Sequence, residues 1–539
     1  MVEGFIVENK LDSIIFKLIF GLFFILMTIT LVLVLFFQSS TEYQFKISCS
    51  LPNSIFVLIG LTCLVFLSLL VHLIIRSVTK AWPVAVSHKI HTKILIVLTI
   101  LLAAFQYYLC YNSYFLTDWD VGVVLENTRA LALGDFENVY YHYFSLYPNN
   151  NFLEWFFFII FKIEVSLGIT DLTLMVLPLI LLQCILSALA AFLLYRVCLD
   201  WTKSHTVSWC AWIVYVIFIG TSPWLFIPYT DSMGLIFPIL ILWCYRRLKY
   251  SPPQQRLRWS VLLGIFTFLG FEIKVQTFIV FIAICIVELI TCLQKQTFRV
   301  KLLARVKSIL VIGAVFVFGN LFISLIAVPS MHISIDQNCP VGITHYLMMG
   351  ANTELNGTYS QDDVNYSISF PDTKSRTAAN ISTFKQRISD IGVVGLIKHL
   401  AKKTLVNYAD GTFAWAQDGN GNMQLLPDKN NTTSPFLKSL FYTNETGTRY
   451  QQFRDFKQII WLTTLFASLG MVFCIFKGRK PENGVLVAVL SIIGLTIFEL
   501  IFEARARYLY TYAPIYILLG VLGWRSIWHY LQQVRRQFF

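Results

Sequence analysis

Two aspartates one residue apart, Asp118 and Asp120 in the tripeptide Asp-Trp-Asp, stand directly after an apolar run long enough to cross a bilayer. Carboxylates at a water–lipid boundary are costly to dehydrate, and an Asp at mid-membrane costs about 3 kcal/mol on insertion scales. Acids at this depth are therefore candidates for function. The bland alternative is a solvated acid that stops the helix. The continuation favours chemistry. VGVVLENTRALALGDF is a short amphipathic segment carrying Glu126, Arg129 and Asp135. Tyr140, Tyr141, His142 and Tyr143 follow, and then the turn SLYPNNN. A sugar docks against an aromatic, polar surface of this kind.

A second element, Pro228-Tyr229-Thr230-Asp231, lies between two apolar runs and adds an acid and a tyrosine at the same depth. A third is basic: Arg505 and Arg507 in FEARARY join the last two runs. The planar fork of Arg donates in pairs and suits phosphate. Lys274, in the polar kink GFEIKVQ, is another base at this level. Each base has an alternative use in a salt bridge, to Glu503 or Glu272. The absence of GxxxxGK[ST], HExxH and GxSxG leaves ATP hydrolysis, zincin and nucleophile-elbow chemistry without a motif.

The frame that must position these residues is set by composition. Of 539 residues, 56% are hydrophobic and only 13% charged, and the net charge is +12. Soluble domains carry about 25% charged residues, so a water-facing surface cannot be covered. The chain reads as a polytopic membrane protein, which excludes a cytosolic enzyme, a secreted disulfide scaffold and a disordered regulator. The basic balance calls for no nucleic acid, because cytoplasmic loops of membrane proteins collect Lys and Arg. Most of the eleven cysteines lie inside apolar runs as small hydrophobes, and no CxxC occurs. Only Cys49 and Cys339 fall in loops placed outside, where they could pair.

Basic loops orient the spans. The loop with Arg76, Lys80, Lys89 and Lys93 holds no acid and reads as cytoplasmic. The segment after the third span carries five acids and one base and reads as outer. The apolar stretch FLEWFFFIIFKIEVSLG holds Glu154, Lys162 and Glu164, and its clean run is too short to cross. Read as an interfacial or re-entrant helix, it leaves every later basic cluster inside. About twelve spans result, and the fold class is all-α. Residues 1–93 form two N-terminal spans and a cytoplasmic loop. Residues 94–328 form a membrane core with a first outer loop over 116–171. Residues 329–457 form one polar outer region, and residues 458–539 the last spans. The polar region contains one stretch of helical period, FKQRISDIGVVGLIKHLAKKTLVNYADG, and NxS/T sequons at Asn356, Asn365, Asn380, Asn430, Asn431 and Asn444.

From about Ile94 to the C-terminus the chain resembles the GT-C superfamily of membrane glycosyltransferases. The long first outer loop opening with an acid, the turn and aborted helix YPNNNFLEWFFF, the kink with Lys274, and the late E-x-R-x-RY-L carry the likeness. The branch that includes protein O-mannosyltransferases and lipid A aminoarabinose transferases is the most similar. YPNN, SPW…PYTD, HYLMMGAN and EARARYLY resemble its Gram-positive members. The resemblance implies a general base at Asp120, with Asp118 beside it, and a donor-phosphate contact at Arg505 or Arg507, with Lys274 in support. Arg129, Tyr229, Asp231 and His345 are the substrate-binding candidates. The family's HPPL-type motif reads YPNN here, which leaves the acceptor open. The implied reaction is inverting transfer of a sugar from a polyprenyl-phosphate donor to a hydroxyl of a cell-envelope acceptor outside the cytoplasmic membrane. The acceptor is a wall polymer, glycolipid or protein. No cofactor is required, although the two aspartates could hold a divalent metal. Two rivals stay open: a polymerase or ligase using lipid-diphosphate glycans, and a transporter or flippase, which predicts mid-span charges and repeat symmetry.

Overall fold

The computed structural model describes residues 10–37, 50–81, 84–117, 119–293, 298–419, 423–424, 435–442, 449–476 and 482–538. Asp118, Cys49 and the sequons at Asn430, Asn431 and Asn444 lie outside them. The described chain is almost entirely helical. Helices α1 (Lys10–Phe36), α2 (Asn53–Ala81) and α3 (Val84–Ser113) come first. α4 (Asp120–Leu133), α5 (Tyr141–Leu146) and α6 (Asn151–Ser166) build the next segment. Then come α7 (Leu172–Thr202), α8 (His205–Phe218), α9 (Thr230–Gly234), α10 (Phe237–Tyr250), α11 (Pro253–Ile273), α12 (Phe278–Leu293) and α13 (Phe298–Phe322). The polar region contributes α14 (Val328–Ser330), α15 (Gly342–Gly350), α16 (Gln361–Ile368), α17 (Thr373–Tyr408, broken at Gly392) and α18 (Pro435–Phe441). The chain ends with α19 (Arg449–Ser468), α20 (Phe473–Phe476), α21 (Asn483–Ile501), α22 (Ala506–Tyr510) and α23 (Ala513–Phe538).

Starts and stops follow local chemistry. Asp171 caps α7 by accepting from the Thr173 amide, Ser204 caps α8, and Asp372 caps α17 through two amides. Seven helices among the described residues are long and apolar enough to cross a membrane, against the twelve expected. The difference has a physical cause. The expected span Val207–Phe226 is divided where Gly220–Pro223 cannot continue a helix, leaving α8 with 14 residues and a separate turn at Pro223–Phe226. Ser232–Cys244 is likewise shared between α9 and α10, whereas α11 (21 residues), α19 (20 residues) and α23 (26 residues) are long enough but carry polar, charged turns at Gln254–Arg258, Arg449–Lys457 and Arg525–His529. The divided pieces are walled in by neighbouring helices, so they need not each match the hydrocarbon thickness.

The bundle packs α3 on α7, α7 on α8, α10 on α11, α11 on α13, α12 on α21, and α19 on both α2 and α23. α6 is not among the spanning helices. It packs against α4, and its 16 residues reach about 24 Å. Three buried tryptophans donate to backbone carbonyls, two of them, Trp224 and Trp461, tying the polar region to the bundle and the third, Trp415, bracing the polar region itself. Trp224 donates to Thr412 (3.0 Å), Trp415 to Phe441 (2.8 Å) and Trp461 to Tyr408 (2.9 Å). The buried Lys457 ammonium donates to the carbonyls of Ile217 (2.9 Å) and Phe218 (2.6 Å) and so satisfies the end of α8. One short antiparallel ladder, Leu116–Thr117 on Met423–Gln424, joins the first loop to the polar region. Cys339 Sγ lies 3.2 Å from Asp336 Oδ2.

Candidate active site

Helix α4 begins at Asp120. Trp119 precedes it in extended backbone (φ −94°, ψ −169°) and turns the chain out of the ladder into the helix. Gly122 makes this turn possible, since a Cβ there would run into the Thr117 carbonyl oxygen. The Asp120 carboxylate thus stands in the first turn of a helix, where the macrodipole favours an anion. It is open to solvent, yet burial raises its carboxyl above the ordinary aspartate range. The positive charges of Arg507, Arg505 and Lys274 oppose that rise, and Glu503 adds to it.

The bases gather from two other elements, the turn that opens α22 and the end of α11. Arg507, in α22, places its guanidinium 4.6 Å over the Trp119 ring and its Nε 3.9 Å from Asp231 Oδ2. Lys274, at the end of α11, brings its Nζ to 2.6 Å from Asp231 Oδ1 and 4.2 Å from the centre of the Tyr508 ring. Its partner is Asp231 and not Glu272, the neighbour that the sequence offered. Arg505 precedes α22 in extended backbone and pairs with Glu503 at 2.9 Å. Glu503 also accepts from the Tyr508 hydroxyl at 3.0 Å. Burial alone would raise the Glu503 carboxyl, but Arg505 and Arg507 hold it below its ordinary range. Tyr229 meets Trp119 edge-on at 5.3 Å between ring centres.

Of the residues singled out in the sequence, the structure brings Asp120, Asp231, Tyr229, Lys274, Arg505 and Arg507 into one cluster. Two stand apart. Arg129 lies nine residues after Asp120, about 180° around the helix. Its Nε donates to the Thr170 carbonyl at 2.9 Å and its Nη1 lies 3.7 Å from Glu126. His345 is buried and shares a 2.7 Å hydrogen bond with Ser367, which fixes its ring within the polar region. The adjacent Tyr346 instead feels the charge of Asp120.

Several residues that sequence reasoning missed complete the cluster. Asn150, in the YPNN turn, donates to the hydroxyls of Tyr143 (2.7 Å) and Tyr229 (3.4 Å). Lys403, buried on α17, donates to the carbonyls of Gly350 (2.9 Å) and Phe502. The Ala504 amide donates to the Gly357 carbonyl at 2.8 Å. Gly357 has φ +74°, and a Cβ there would lie 2.7 Å from the Gly350 oxygen. The turn bearing both arginines is therefore held from outside by the polar region. The two glycines flanking the Ala-Asn-Thr-Glu-Leu-Asn segment were the available signal. Among the described residues, no group of three or more His, Cys, Asp or Glu side chains is arranged to hold a metal ion.

The spanning helices, with a charged and aromatic cluster where the chain leaves them, define a multi-span integral membrane protein, and its partner along the apolar helices is the lipid bilayer. A family model described as "conserved hypothetical integral membrane protein" matches residues 10–528, and the chain belongs to that family. No curated protein and no solved structure matches the chain.

Proposed function

We propose that this protein is an inverting glycosyltransferase. In this reading it moves a sugar from a polyprenyl-phosphate donor to an acceptor hydroxyl on the outer face of the cytoplasmic membrane. One observation carries the reading. An exposed carboxylate, Asp120, opens helix α4 next to Trp119, whose ring carries the Arg507 guanidinium, and Arg507 shares Asp231 with Lys274. Such a donor needs lipid access for its tail and cations for its phosphate, and its acceptor needs a base. Asp120 takes the proton from the attacking hydroxyl. Arg507 and Lys274 offset the charge that grows on the departing phosphate. A single displacement inverts the anomeric carbon. With Lys403 and the neighbouring Glu499 included, four bases (Arg505, Arg507, Lys274, Lys403) face four acids (Asp120, Asp231, Glu499, Glu503), so the formal charges balance before a donor enters. A single phosphate disturbs that balance less than a diphosphate, and this favours the monophosphate donor over the lipid-diphosphate polymerase. Against a transporter, Glu499, the acid nearest the cluster within a spanning helix, lies two residues from the end of α21 and not at its middle.

The test compares a polyprenyl-monophosphate sugar with a diphosphate-linked glycan as donor for the purified protein. Turnover of the first alone is expected. Turnover of the second alone makes the protein a polymerase or ligase, and release of neither sugar with movement of intact lipid makes it a flippase.

A further inference from the structure

Tyrosines of α5 and its flanks lie beside α4, the helix that opens at Asp120: the Tyr140 amide donates to Asn127 on that helix at 2.9 Å. Tyr140 and Tyr143 lie 6.5 Å apart between ring centres, and Tyr143 and Tyr147 lie 5.2 Å apart. Tyr359 stands on the other side, with the Arg505 guanidinium 5.6 Å over its ring. The outermost rings are open: Tyr140 is 53% exposed and Tyr359 44%. The inner ones are covered, and Asn150 fixes the Tyr143 hydroxyl beside that of Tyr229. Burial, with the charge of Asp120 among further causes, raises the phenols of Tyr143, Tyr147 and Tyr359. Tyr229 in turn meets the ring of Trp119, the residue before Asp120, edge-on at 5.3 Å, and so ties the covered rings to the start of α4. The rings come from two separate parts of the chain, α5 with its flanking residues and the segment between α15 and α16.

We propose that this tyrosine-lined mouth binds a glycan chain, so that the acceptor hydroxyl belongs to a saccharide and not to a polypeptide. The inference rests on the glycosyl-transfer reading above. A sugar ring has an apolar C–H face and a hydroxylated edge. Exposed aromatic faces accept the first, and phenol and amide groups accept the second. The exposed Tyr140 and Tyr359 rings each offer a sugar a face. A polypeptide would be recognised through its backbone, on an open sheet edge or in a helix groove. The mouth offers neither. Its own amides are used internally, Tyr141 on Val139, Tyr143 on Tyr140 and Tyr147 on Tyr143.

The experiment measures binding to the full chain in nanodiscs with three kinds of probe. Neutral hexasaccharides of glucose, galactose and N-acetylglucosamine test the mouth. A Ser/Thr-rich hexapeptide tests the polypeptide alternative. Undecaprenyl phosphate tests the donor site. At least one hexasaccharide should bind, and Tyr140→Ala and Tyr359→Ala should each weaken it about tenfold, the order of one lost ring contact. Tyr359→Phe keeps the ring and should stay within about twofold of the parent. Undecaprenyl phosphate should bind all three variants equally. Binding of the peptide alone, or of neither probe, overturns the glycan mouth while leaving the donor site standing if undecaprenyl phosphate still binds. Hexasaccharide binding without any affinity for undecaprenyl phosphate overturns the donor reading and leaves the mouth. If the alanine variants lose every ligand through misfolding, Tyr359→Phe decides: lost hexasaccharide affinity in that variant overturns the proposal.

Discussion

At the scale of single residues, Asp120 carries the sharpest expectation. Asp120→Asn keeps shape and hydrogen bonding but removes the proton acceptor. Sugar transfer should fall by about 10²–10⁴, while undecaprenyl phosphate still binds. The pH dependence has a definite sign. Burial raises the Asp120 carboxyl, so its basic form is lost on acidification sooner than for an ordinary aspartate. Arg507 is the largest influence holding it down. Arg507→Gln should therefore move the acid limb of the rate profile to higher pH, and an unmoved limb in a still-active variant would show that the base lies elsewhere. The same shift has a stability consequence. Between the ordinary value and the raised one, the folded chain binds the proton more tightly than the unfolded chain, so Asp120 contributes less stability as pH rises through that window. For the phosphate contact, Arg507→Lys should weaken donor binding more than Arg505→Lys, because Arg505 is already occupied by Glu503 at 2.9 Å. Equal and negligible effects would pass the role to Lys274. Residue types alone made these acids and bases legible, since charges beside apolar runs stand out. Arg129 and His345 misled for the same reason: a polar residue near a site advertises its chemistry but not its direction, and each is bonded elsewhere.

At the scale of elements, what positions the cluster is the tightness of two turns. Gly122→Ala drives a methyl into the Thr117 carbonyl, at the start of the helix that bears Asp120. The helix must shift or the ladder to Met423–Gln424 must open, at a cost of about 1–3 kcal/mol. Thermal unfolding of Gly122→Ala beside Gly313→Ala checks this. Gly313 is helical with nothing near its missing Cβ, so that variant should hold or gain stability. A Gly122→Ala protein as stable as the parent would mean that the turn is loose. Helix positions were legible because apolar runs, Asp171 and Ser204 caps, and Pro at helix starts are all local signals. The contacts that aim the arginines were not. Lys403 reaches Phe502 across 99 positions, and the Gly357–Ala504 bond spans 147. Nothing local in either segment records the other. The short ladder escaped for the same reason, since two residues per strand leave no alternation to read.

At the scale of the whole molecule, sidedness depends on one helix. Between the end of α3 and the basic cluster beginning at Arg196, only α6 and α7 offer a crossing. If α7 crosses alone, Arg196, Arg246 and Lys307 all lie opposite the polar region, as the distribution of positive charge requires. If α6 crosses as well, the arrangement inverts from that point onward. The geometry of α6 speaks against crossing. Its 16 residues span about 24 Å, short of the roughly 30 Å of hydrocarbon, and no apolar turn prolongs it as Pro223–Phe226 prolongs α8. Its first turn also holds Glu154, wholly buried and without a hydrogen-bond partner among the described residues. Packed along α4, it serves as a wall of the first loop. Single cysteines decide the matter in a background without Cys49, Cys63, Cys285, Cys339 and Cys474. Ile343→Cys and Tyr366→Cys, exposed on the polar region, should react with an impermeant maleimide added outside intact cells. Lys89→Cys and Lys307→Cys should react only after the membrane is opened. Labelling of Lys307→Cys from outside, with Lys89→Cys still protected, would add a crossing between α3 and α13. α6 becomes that crossing if Arg196→Cys is also labelled from outside, which would put Arg196, Arg246 and Lys307 all on the outer face.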